Sequence, residues 1–160
     1  MRLHLLRHAK TQAVAASSRD FDRKLLPRGI AQSGVMGDFL KGKLEENIPV
    51  YCSTSARTRQ TFELVSEKAP LRNVSFSDRL YHASLDTLLD FVWSLPESEE
   101  ILIIGHNEGI SELATYFTEK FISLKTCGYI CIEFDAASWK EISRGLGTEA
   151  AAFRPEVKDH

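Results

Sequence analysis

The 160-residue sequence predicts an α/β protein, a three-layer α/β/α sandwich around a mostly parallel central sheet. Three observations carry that expectation. Short apolar runs alternate with segments of helical period, and alternating strands and helices pair in parallel through right-handed crossovers. Ile101-Leu102-Ile103-Ile104 is uninterrupted aliphatic sequence, as suits a central parallel strand buried on both faces. The composition, 43% hydrophobic and 26% charged, is that of an ordinary globular chain. At this length one domain buries roughly 70% of its unfolded surface and folds without staples.

The elements follow in order. Leu3-His4-Leu5-Leu6 reads as the first strand, and residues 9–24 form a polar, small-residue loop long enough to be functional. Pro27-Arg28-Gly29 opens a helix in which Ile30, Val35, Phe39 and Leu40 keep near-helical spacing to about Leu44. Ile48–Cys52 is a second strand. Ser53, Thr54 and Ser55 are N-cap types, and Thr61, Phe62, Val65 and Ala69 line one face of a helix stopped by Pro70. Asn73–Ser77 alternates weakly as a third strand. Ser84–Leu95 sets Leu85, Leu88, Leu89, Val92 and Trp93 on a helical stripe ended by Pro96. Ile101–Ile104 follows, then a helix from about Glu108 to Phe121. Tyr129–Phe134 and Trp139–Ser143 read as two strands around the Asp135–Ser138 turn. Residues 1–145 therefore make one domain, and 146–160, rich in Gly, Ala and charge, a loosely packed tail.

Composition also excludes. A net charge of −2 offers no general field for nucleic acid or acidic membranes, so any bound anion is held by a local cluster. No run approaches a membrane span, and Arg7 and Lys10 interrupt any signal-peptide core, which makes the cytoplasm the expected location. Cys52, Cys127 and Cys131 are odd in number and lack Cys-x-x-Cys spacing, so they read as reduced and structural. His4 and His8 stand four apart on a strand, a span of about 13 Å that cannot share one ion. Neither a metal nor a cofactor is expected.

Chemistry gathers at three strand-to-helix junctions, which parallel strands bring to one sheet edge. They carry Arg7-His8, Arg57 and His106. A histidine there can attack phosphorus while guanidiniums hold the phosphate. Arg57 falls in the first turn of its helix, where a cation opposes the macrodipole at roughly 0.3 to 1 kcal/mol. An anion nearby explains it; the plain alternative is that Arg57 and Arg59 extend into water. In Gly105-His106-Asn107-Glu108-Gly109, the glycine before the histidine allows a sharp turn out of a buried strand. The plain alternative there is a capping or packing histidine.

Leu6-Arg7-His8-Ala9-Lys10, Asp20-Phe21-Asp22-Arg23-Lys24-Leu25 with Pro27-Arg28-Gly29, Ser53 to Thr61, and Gly105 to Gly109 together resemble the histidine phosphatase superfamily. The chain looks like its small SixA-type phosphohistidine phosphatase branch over roughly residues 1–145, which implies a phosphoglycerate mutase-like sandwich. The resemblance makes His8 the transiently phosphorylated nucleophile, with Arg7, Arg57 and His106 around the phosphoryl group. It places Arg23 near the pocket, with Asp22 able to orient one of the cations. Guanidiniums in those positions supply the charge that phosphoryl transfer needs without a metal. They also favour neutral imidazole at His8. Ala9, Thr54 and Glu108 depart from the commonest family residues. The region where the mutase branch carries an acidic proton donor reads Leu80-Tyr81-His82-Ala83-Ser84, so the candidates for that role are His82, Ser84 and Glu108.

The expected function is thus a metal-independent phosphatase acting on phosphohistidine of a protein partner, releasing inorganic phosphate and binding neither nucleic acid nor membrane. Two other readings stand beside it: a small-molecule phosphomonoesterase of the mutase-like branch, and a phosphate-binding module without turnover.

Overall fold

The computed structural model describes residues 1–14 and 19–158; residues 15–18 of the expected loop and 159–160 of the expected tail lie outside the described residues. Six strands form one sheet: β1 (Arg2–Arg7), β2 (Val50–Ser53), β3 (Val74–Ser77), β4 (Glu100–Gly105), β5 (Tyr129–Phe134) and β6 (Gly147–Phe153). Their order is β3-β2-β4-β1-β5-β6. The first four run parallel, with Arg2 opposite Glu100 and Arg7 opposite Gly105, so the carboxyl ends of β1 and β4 finish level. Only β5 opposes its neighbours, pairing antiparallel with β1 and with β6.

The central strands are apolar throughout because both faces are covered. Leu3, Leu5, Ile101 and Ile103 pack with α3 (Leu85–Trp93) and α4 (Gly109–Thr118). Leu6, Leu102 and Ile104 point the other way, toward α1 (Pro27–Leu40) and α2 (Ala56–Lys68). This is the three-layer sandwich, each side chain alternating across the pleat. No helix among the described residues is long and apolar enough to cross a membrane. The three cysteines are buried and unpaired by disulfide.

Two expectations fail at the carboxyl end. Trp139–Ser143 is no strand: Trp139–Glu141 forms a short 3₁₀ turn capped by Ser138, and Trp139 is fully buried beside α3 and α4. Trp139 and Ile142 stand three apart, a spacing that a turn buries better than a pleat does. The segment read as a loose tail instead supplies β6, which takes the open edge of β5 and stacks Phe153 on Phe39 at 4.0 Å. The sheet therefore runs to Phe153, past the expected boundary at 145. Smaller corrections concern helix ends. α1 stops at Leu40, four residues early, just before Gly42 turns left-handed (φ 78°). α4 stops at Thr118, closed by Glu119 in the same region (φ 55°).

Candidate active site

The loops beyond β1, β2 and β4 meet at one sheet edge and enclose a cavity of about 470 Å³, whose walls include Arg7, His8, Arg23, Arg57, His82 and His106. His8 follows β1 directly. Its N–H donates to the Gly105 carbonyl (3.1 Å) and its own carbonyl accepts from Cys127 (2.9 Å), which fixes its backbone between two neighbours. Nδ1 of the ring lies 2.8 Å from the Ala9 carbonyl. A carbonyl only accepts, so Nδ1 carries the proton and Nε2 keeps its lone pair. Burial, helped by the charges of Arg57, Arg7 and Arg23, pushes His8 from 6.5 down to about 3, and the Ala9 bond opposes this only in part. The ring is neutral at physiological pH.

Arg57 occupies the first turn of α2, whose N-terminus Ser55 caps by accepting from the Thr58 N–H. Its side chain is 1% exposed, so it does not extend into water. Nη1 donates to the main-chain carbonyl of Asp20 at 2.8 Å, and Nη2 to the Asp20 carboxylate at 3.1 Å. The anion inferred near this helix start is thus, in part, internal. Arg7 donates through Nη1 to the Leu124 carbonyl at 3.0 Å. Arg23 reaches Thr11 (3.1 Å) and the Gln12 carbonyl (2.9 Å), bracing the long loop as well as lining the pocket.

His106 follows β4 and is 5% exposed. Its Nε2 lies 2.8 Å from the Ser53 hydroxyl, and its ring is 5.4 Å from that of His8. Burial first, then His8 and Arg57, push it down to about 2, so it stands as a neutral ring. The glycine before it does less than its position suggested. Gly105 simply ends β4, and a Cβ there would meet only Ile110, at 3.9 Å. Gly109 is the constrained one: a Cβ would lie 2.1 Å from the Ala83 carbonyl, where the His82–Ala83 turn closes on α4.

Three buried nitrogens here have no hydrogen-bond partner among the described residues: Arg7 Nε, Arg57 Nε and His106 Nδ1. Buried polar nitrogens are nearly always satisfied, and three unsatisfied ones on residues that line a single cavity suit a ligand rich in oxygens. Among the described residues no three His, Cys, Asp or Glu side chains gather to hold a metal ion.

The candidate proton donors separate. His82 lines the cavity, its ring 5.1 Å from that of His106. Ser84 caps α3, accepting from the Thr87 N–H at 3.2 Å. Glu108 precedes α4 and lines a neighbouring groove of about 780 Å³, which joins the cavity at Asn107.

Sequence reasoning missed Asp20, naming Asp22 as the carboxylate beside the cations. Asp22 faces Arg19 at 3.9 Å. Asp20 instead accepts from Arg57, from Arg23 (2.8 Å), from the Tyr81 hydroxyl (2.5 Å) and lies 2.7 Å from His82 Nε2. Against the desolvation that would raise it, bonds from Tyr81 and His82 and the charge of Arg57 hold its carboxyl well below the usual range. The available signal was the three-residue spacing of Asp20 and Arg23, which a 3₁₀ turn brings together.

Residues 3–88 match the model of the histidine phosphatase superfamily, branch 1. The chain belongs to this family. An uncharacterized protein of Mycobacterium tuberculosis is 36% identical over 110 residues, 68% of this chain and 67% of that protein. The fold is similar to that of a protein assigned as phosphohistidine phosphatase SixA from Nakamurella multipartitia (TM-score 0.84, 23% identity, 98% of this chain and 96% of that one). It is also similar to the protein histidine phosphatase SixA complexed with tungstate (TM-score 0.78, 21% identity, 96% and 97%). Within this histidine phosphatase, His8, Asp20, Arg57 and His82 fall inside the matched span, and His106 lies beyond it.

Proposed function

We propose that the chain is a phosphatase working through phospho-His8, with phosphohistidine on a protein as its substrate. The observation that carries this reading is a buried neutral imidazole whose free lone pair is on Nε2, set among side chains of Arg7, Arg57 and His106 that each hold a nitrogen without a partner among the described residues.

In the first step Nε2 attacks phosphorus. The bond from phosphorus to the leaving atom breaks, and its electron pair stays on that atom, which takes up a proton from His82 or from water in the pocket. Arg7 and Arg57 balance the charge on the three equatorial oxygens, and the reading calls for no metal ion. His106, held 2.8 Å from the Ser53 hydroxyl through Nε2, stands beside His8 as a neutral ring that helps shape the phosphoryl site. In the second step water attacks phosphorus, the electron pair of the Nε2–phosphorus bond returns to His8, and inorganic phosphate leaves.

Two observations favour phosphohistidine. An imidazole leaving group accepts a proton readily, which matches a pocket whose lining, among the described residues, holds His82 and no carboxylic acid. The groove joined at Asn107 gives room for the chain on either side of a phosphorylated residue. A SixA protein of the same fold holds tungstate, an oxyanion of the same class as phosphate.

Activity on a phosphohistidine protein, compared with a panel of sugar phosphates and phosphoglycerate, tests the substrate. A higher kcat/KM on the protein supports the proposal, and preference for the esters replaces it with the phosphomonoesterase reading. Trapping of phosphate on His8 with phosphoramidate separates either enzyme from a phosphate-binding module.

A further inference from the structure

We propose that Asp20 is a positioning residue for the phosphoryl step, acting through Arg57 and His82 without touching substrate. The inference rests on the two-step reading above and adds a member to its machinery from behind the cavity wall. Arg57, Arg23 and His82 line the cavity, and each is bound to Asp20 on its far side.

A guanidinium is planar, so two anchored nitrogens fix its orientation. Arg57 has both terminal nitrogens on Asp20, one at the main-chain carbonyl and one at the carboxylate. Its remaining hydrogen bond is the 3.4 Å contact with His82, which Asp20 also holds. Beyond these the Arg57 guanidinium has no other hydrogen-bonded anchor among the described residues, its further contact being the Tyr81 ring at 5.9 Å, although it stands at a positive helix end beside two further arginines. Removing Asp20 would leave three guanidiniums to repel one another and would free the Arg57 plane to turn. His82 would lose the bond that fixes its ring against His106. Because the carboxyl is held ionised by its donors, it has no proton to give, and its part is geometric and electrostatic.

Asp20→Asn keeps the main-chain contact, removes the charge and turns an amide toward the donors. The rate of phospho-His8 formation from phosphoramidate, in a single turnover, should fall about 30-fold, with KM for p-nitrophenyl phosphate changing less than about threefold. In an Arg57→Ala background the same change should cost less than about twofold, because the residue acts chiefly through that arginine and only secondarily through His82. Asp20→Glu, which retains the charge on a longer stem, should recover part of the rate. If Asp20→Asn fails to fold by thermal unfolding, the cycle is run with Asp20→Glu, whose loss should likewise vanish in the Arg57→Ala background. An unchanged rate in Asp20→Asn, or an equal loss with and without Arg57, overturns the proposal while the two-step mechanism stands. Absence of phospho-His8 in the unmodified chain overturns both.

Discussion

His4 and His8 lie four residues apart along one strand and its end, both buried, yet their ring nitrogens meet opposite surroundings. His4 has Nδ1 2.7 Å from the Tyr129 hydroxyl and Nε2 3.4 Å from Glu100. His8 has one nitrogen tied to a carbonyl and the other facing a cage of cations. Burial lowers the pKa of each, so a depressed value does not tell a reactive histidine from a structural one. The free nitrogen does, together with the nitrogens around it that have no partner among the described residues. The two regions also differ in charge: acidic Glu100 and Glu133 balance Arg2 near His4, whereas Arg7, Arg23 and Arg57 outnumber Asp20 near His8.

The sharpest way to break this contrast is His8→Ala. Turnover should fall by about three orders of magnitude or more, with no acid-labile phosphate retained on the chain. Full activity in that variant ends the mechanism. Arg57→Ala comes next, with kcat/KM lower by about 10²- to 10³-fold. Arg57→Lys should restore little, since a single ammonium cannot reach the Asp20 carbonyl and carboxylate while also facing the pocket. Steady-state kinetics on p-nitrophenyl phosphate separate these outcomes.

Much of this contrast was legible in the sequence, for reasons that also explain what was not. Strand-to-helix junctions followed from hydrophobic period, and parallel pairing then brought His8, Arg57 and His106 to one edge without further information. Asp20 was invisible because it shares a polar loop with Asp22, and only the turn decides which carboxylate faces inward. β6 was invisible because Thr148-Glu149-Ala150-Ala151-Ala152 has little strand preference of its own. Its conformation comes from the open edge of β5 and from the stack of Phe153 on Phe39, neither of which is local.

Acid tests the burial of the two rings at the site more gently. His8 and His106 are neutral when folded down to about 3 and about 2, and both titrate near 6.5 when unfolded. Between those limits the unfolded chain binds the extra protons, so stability is fully present above about 6.5 and declines as pH falls through the window. The slope is about 1.4 kcal/mol per pH unit for each ring. Urea unfolding between pH 4 and 7 should show this decline, and His8→Ala should lessen it. A stability independent of pH in that range would mean that the rings are not buried neutral.

The smallest expected effect on activity is at His4, and it is the one that makes the comparison exact in kind. His4→Phe removes the partner of a buried Tyr129 hydroxyl and should cost about 1–3 kcal/mol, read by urea unfolding, with kcat within about twofold of the original. The cost is that of stranding a hydroxyl, so it should shrink when the hydroxyl goes as well. Pairing His4→Phe with Tyr129→Phe should therefore recover most of the stability, because replacing both partners with apolar groups leaves nothing unsatisfied. No such rescue is available at His8, where the groups around the ring are charged and need an anion. A tenfold fall of kcat in His4→Phe would erase the distinction, since it would tie the histidine within the strand and the one just past its end into a single working unit.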